Sequence, residues 1–155
     1  MSALCLILCT VGLSFSASAQ GPTFTTFDAP GATCTFAQSI NPARAITGWY
    51  NDSSGVPHGF LRARDGTVTT FDPPGATATQ PFSINPAGTI TGWYIDASGV
   101  PHGFLRARDG TFTTFDPPGG APFTVPVSIN PAGAITGYYS DPNAAFVNHG
   151  FLRSP

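Results

Sequence analysis

Charge is scarce in this chain. It has no lysine, its six basic residues are all arginines, and charged residues make up only 9% of the whole, against about 25% in ordinary globular domains. No basic cluster exists, the net charge is −2 and the pI is about 5.7, which argues against a protein that tracks a phosphate backbone and so against a nucleic-acid partner. Cysteine is nearly as rare. Cys5 and Cys9 fall in an N-terminal apolar segment, and Cys34 alone cannot make an internal disulfide. It reads as a small residue standing where the next copy of a repeat has Ala78. Helical periodicity is missing too. No window after Ala19 places apolar residues at i, i+3, i+4 and i+7. Nor is there a glycine-rich phosphate loop, a serine nucleophile elbow or a paired-histidine zinc motif. No cofactor is implied.

Low charge combined with 41% hydrophobic and 12% aromatic residues suggests short strands covered on both faces. The first 19 residues, from Met1 to Ala19, read as a signal peptide. Their apolar run from Ala3 to Leu13 is too short to anchor in a bilayer, and Ala17-Ser18-Ala19 is a small-x-small cleavage site that would leave Gln20 first. The departure from pattern is the absence of Lys or Arg before the apolar run. Leu8 before Cys9 is too large for a lipoprotein signal. A secreted chain without a membrane span is expected.

What the chain does have is a repeat. His-Gly-Phe-Leu-Arg begins at His58, His102 and His149, and Thr-Thr-Phe-Asp ends at Asp28, Asp72 and Asp116. Ser-Ile-Asn-Pro-Ala places its asparagine at Asn41, Asn85 and Asn130. Residues 23–66 and 67–110 agree at 34 of 44 positions. A period of this size marks a small unit that cannot bury its own apolar face and must stack on its neighbours. The expected organisation is one repeat domain over 20–155, with copies at about 23–66, 67–110 and 111–155.

Each copy holds four short runs rich in Thr, Ile and aromatics, separated by turn signals. In the second copy they lie near Thr79–Ile84, Thr89–Tyr94, His102–Ala107 and Thr111–Phe115. Asn85-Pro86-Ala87-Gly88 fits a type I turn. Asp96-Ala97-Ser98-Gly99 and Arg108-Asp109-Gly110 supply the next two turns. The fold class is therefore all-β, with three four-stranded antiparallel units. Thr23–Phe27 is a fourth run with no first three before it, and the last copy stops after its third run. The N-terminal run is expected to complete the last unit and remove an open edge.

The words INxxGxITGxY, HGFLR and DGTxTTFDxPGA, recurring in fixed order over Thr23–Arg153, resemble the HAF family of extracellular bacterial repeats. The resemblance implies secretion beyond the bacterial envelope and propeller-like blades of variable number, and carries no catalytic motif. Three copies fall short of the usual four to eight blades. A homodimer forming one shared six-blade ring would resolve this. A β-trefoil is the alternative architecture.

Candidate sites follow from the repeat. Asp52, Asp96 and Asp141 open the turns after the second runs, and Asp28, Asp72 and Asp116 follow the fourth runs. Alternating strand connections place both groups on one rim, which is the expected ligand-binding region. Trp49, Trp93 and Tyr138 are equivalent positions that read as inter-unit core or as an aromatic platform for sugar rings. The three histidines stand one repeat apart, without ligand spacing, so each is expected to bond a neighbouring loop rather than a metal. Carboxylates repeated in every copy suit turn capping better than acid–base catalysis, which needs two different environments. Gln38, Arg44, Asn51, Asn143 and Asn148 break the repeat with polar residues and would be the places to look for an enzyme. The expected function is a secreted, non-enzymatic module that binds a glycan or protein outside the cell. A structural surface or assembly subunit is the second reading, and a hydrolase or lyase acting on polysaccharide the third.

Overall fold

A computed structural model describes residues 21–118, 123–141 and 147–155; the segment 1–19, expected to be a signal peptide, and Asn143 lie outside them. The described chain is all-β. The first unit contains β1 (Cys34–Ile40), β2 (Ile46–Asn51), β3 (Pro57–Arg62) and β4 (Val68–Phe71). The second contains β5 (Ala78–Ile84), β6 (Ile90–Ile95), β7 (Pro101–Arg106) and β8 (Phe112–Phe115). The third contains β9 (Thr124–Ile129), β10 (Ile135–Asp141) and β11 (Val147–Arg153). Each unit is its own antiparallel sheet, with strand orders β1-β2-β3-β4, β5-β6-β7-β8 and β11-β10-β9.

The turn chemistry works as its residues dictate. In the second unit the Gly88 N–H donates to the Asn85 carbonyl at 3.0 Å, and the Asn85 Oδ1 accepts from Thr89 N at 2.9 Å. Gly88 and Gly133 take φ of +87° and +91°, and Arg44 is forced to +64° at the matching place. Each first strand carries a bulge, because Gln38, Phe82 and Val127 are skipped in the pairing with the second strand. The bulge brings first-strand backbone against a glycine. A Cβ on Gly48, Gly92 or Gly137 would lie 2.0, 2.3 or 2.2 Å from a carbonyl oxygen across the pair.

Stacking of the sheets makes the core. Strand β5 packs across β1, β2 and β3, and β9 packs across β5, β6 and β7. Phe71 of the first unit belongs to a buried cluster with Ile84, Ile90, Tyr94 and Phe104 of the second. Its ring also covers Gly59, where an added Cβ would lie 2.6 Å away. The inner strands are tied by polar bonds as well. The N–H groups of Ile84 and Ile129 donate to the hydroxyls of Ser39 and Ser83, each at 3.3 Å. Buried Asn41 donates to the Asn85 carbonyl at 3.2 Å.

Two expectations need correction. The third sheet has three strands, not four, and residues 21–29 form no strand beside it. Phe27 instead packs edge-on against Phe60 of the first unit at 6.0 Å, with the Arg62 guanidinium over its ring. The reason is visible in the other units. Arg106 covers Phe71 and Arg153 covers Phe115 in the same way, so every unit receives a phenylalanine from the segment before it. The first unit's apolar face attracts Phe27 locally, and among the described residues the last sheet gains no fourth strand.

Candidate functional site

Strand pairing sets the rim. Tyr50 is opposite His58 between β2 and β3, and Gly59 is opposite Phe71 between β3 and β4. One step further, His58 meets Asp72, the residue that leaves β4. Its Nδ1 donates to Asp72 Oδ2 at 2.7 Å, while its Nε2 lies 3.6 Å from Asp52 Oδ2. In the second unit His102 donates to Asp116 at 2.7 Å and lies 3.4 Å from Asp96. In the first two units, then, the two expected aspartate groups meet on opposite edges of an imidazole.

The first aspartate of each triplet is fixed by its own turn. Asp52 Oδ1 accepts from Ser54 N at 2.8 Å and Val56 N at 2.9 Å, and Asp96 repeats this with Ser98 and Val100. The Val56 N–H is the largest influence on Asp52 and lowers its pKa. Desolvation opposes it, and Ser54 N–H and His58 add to the lowering. Asp96 is lowered by the same groups, led by Val100. Burial pulls the His58 pKa down, but the hydrogen bonds and charges of Asp72 and Asp52 outweigh it, and the net shift is upward. His102 is raised alike. With their pKa values lowered, Asp52 and Asp96 stay ionised at neutral pH, and the net effect at each ring is to hold the imidazole toward its charged form.

Among the described residues no group of three or more metal-ligating side chains is placed to hold an ion. The two carboxylates bond different ring nitrogens, so the triplet does not converge on a point. Asp141 closes β10 opposite Val147 and makes its own polar contact. His149 stands where His58 and His102 stand, but no fourth strand lies beside β11 among the described residues.

The aromatic candidates do not join this rim. Successive residues of a strand face opposite sides, so Trp49 points away from the Tyr50–His58 face. It stacks on Phe36 at 4.0 Å, half-buried. Trp93 meets Phe123 of the third unit at 6.2 Å, and Phe123 meets the exposed Tyr138 at 6.5 Å. Of the repeat-breaking residues, Gln38 is an exposed bulge residue, Asn51 ends β2, and Asn148 accepts the Ser140 hydroxyl at 2.6 Å. They do not gather into one site.

The histidine bonding was underread from sequence. The signal was present as a fixed offset, with Asp six residues before and fourteen after His58, and again around His102. No protein-family model matches the chain, and a comparison with curated proteins finds no match. No helix among the described residues is long and apolar enough to cross a membrane.

Proposed function

We propose that this chain is a secreted, non-enzymatic repeat module that binds a glycan or protein at the cell exterior, through the aspartate–histidine rim. The observation that carries the reading is the recurrence of one Asp–His–Asp arrangement in the first two units. A rim that repeats the same hydrogen-bonding groups suits a ligand that itself repeats, such as a polysaccharide. Catalysis is disfavoured by the same fact, because equivalent carboxylates repeat one environment from the first unit to the second, and no single carboxylate is set apart from its counterpart. The segment Met1–Ala19 and the resemblance to HAF repeats support export. Stacked antiparallel sheets support blades of propeller type over a trefoil.

The test is a glycan array with the purified protein and with an Asp52→Asn, Asp96→Asn double variant. Asparagine keeps the Oδ1 acceptor of each turn and removes the charge. Binding by the parent and its loss in the variant, with the circular dichroism of the fold unchanged, supports the rim. Loss only in a Trp49→Ala, Trp93→Ala variant would move the site to the aromatic positions. A silent array favours the second reading, an assembly subunit, which the open edge of β11 also supports.

A further inference from the structure

We propose that residues 23–28 of a second copy of this chain form a fourth strand on the open edge of β11, and that its Asp28 joins the His149 site. The strand pair this requires already exists inside the molecule. Residues 102–106 and 149–153 both read HGFLR, while 111–116 and 23–28 both read TFTTFD. The first members of these two sets pair as β7 and β8, with Gly103 opposite Phe115, Leu105 opposite Thr113 and Arg106 opposite Phe112. The same register on β11 sets Gly150 against Phe27, Leu152 against Thr25 and Arg153 against Phe24 of the other copy. It also sets Asp28 against His149, as Asp116 meets His102.

Both halves are open in the single chain. Leu152 is 76% exposed and Phe24 is 94% exposed. Gly59 and Gly103 are buried beneath a fourth-strand phenylalanine, whereas Gly150 is exposed and nothing lies closer than 3.9 Å to its would-be Cβ. Next to β11 lies a cleft of about 230 Å³ lined by Phe115, Pro118, Phe151, Leu152 and Arg153. The second unit fills its equivalent with Phe112, whose ring packs on Phe71 at 6.0 Å and Phe104 at 5.9 Å. Phe24 of another copy has the matching residue type at the matching place. Phe27 is already seated on Phe60 as Phe71 is seated on Phe104, so it needs only the sheet behind it. The contact is head-to-tail, and two copies closing on each other bring six sheets into one ring, within the usual four to eight.

Cross-linking tests the register and sedimentation tests the assembly, both in the Cys34→Ala background. One chain carries Thr25→Cys and the other Leu152→Cys, and the two are mixed under oxidising conditions. The expected product is a disulfide-linked pair of unlike chains, well above any like-with-like product. Sedimentation should give twice the single-chain mass, falling two-fold to the monomer in Phe24→Asp and in Gly150→Ala with circular dichroism unchanged. Three outcomes would overturn the proposal. They are a monomer at 100-micromolar-scale concentration, an oligomer indifferent to both substitutions, and a Thr25→Cys, Leu152→Cys double variant that closes within one chain.

Discussion

Gly92→Ala is the sharpest local perturbation available. The added methyl would lie 2.3 Å from the Gln80 carbonyl oxygen and 2.6 Å from the Pro81 Cα, about 1 Å inside normal contact for the oxygen. Both atoms are backbone in the bulged part of β5, so no side chain can swing away. Either the β5–β6 pairing opens or the bulge is lost, and losing the bulge shifts Ser83 off the Ile129 N–H. Overpacking a rigid site costs about 1–3 kcal/mol, and backbone displacement places this substitution at the upper end. At about 2–4 °C per kcal/mol for a domain of this size, a fall of roughly 6–12 °C is expected. Thermal unfolding followed by tryptophan fluorescence, to which the neighbouring Trp93 contributes, measures it. A Gly92→Ala melting point within 1 °C of the parent would refute the close approach of β5 and β6.

Other predictions rest on separate contacts. The hydroxyls of Thr79 and Thr124 are buried without a protein partner. Thr35 at the matching place accepts from Ala29 N at 3.2 Å, a donor that Pro73 and Pro117 lack; Thr79→Val should therefore raise stability by about 1 kcal/mol in urea unfolding. Asn41→Ala loses both the bond to the Asn85 carbonyl and the acceptor for Ala45 N, and should cost about 1–3 kcal/mol in the same assay. Because folding raises the His58 and His102 pKa values, their contribution is full below about pH 6.5 and is lost as pH climbs through the raised values. Folding lowers Asp52 and Asp96, so theirs is present above about pH 4 and disappears as pH falls through the lowered values. Unfolding between pH 3 and 9 should show a maximum between these limits, and His58→Gln with His102→Gln should flatten the alkaline side most, and the acid side less, because each histidine also helps lower its aspartate.

Much of the fold was legible because the repeat states it three times. The Asn-Pro-x-Gly turns, the four runs of the second copy and the two-sided burial of β6 all follow from local chemistry and period-two patterning. The bulges were not legible. Phe82 in the run Ala78–Ile84 looks like any other strand residue until Gly92 demands space across from it. The place of Phe27 was misread because strand phase alone points to the end of the chain, whereas the open apolar face of the first unit, with Phe60 and Arg62, lies much nearer. At the rim, the meeting of two aspartate groups was foreseen from alternating connections. That a histidine sits between them depends on β3–β4 register, which composition does not reveal.

The central claim is that each unit stands because the segment before it lays a phenylalanine across its core. Native-state hydrogen exchange on Phe71→Ala tests this most directly. Removing a ring only 9% exposed, shared by Gly59, Phe104 and Phe112, should cost about 3–5 kcal/mol. The account predicts that protection falls together in β3 and β4 of the first unit and in β6 and β7 of the second. Protection lost in β4 alone, with the second sheet unchanged, would contradict it.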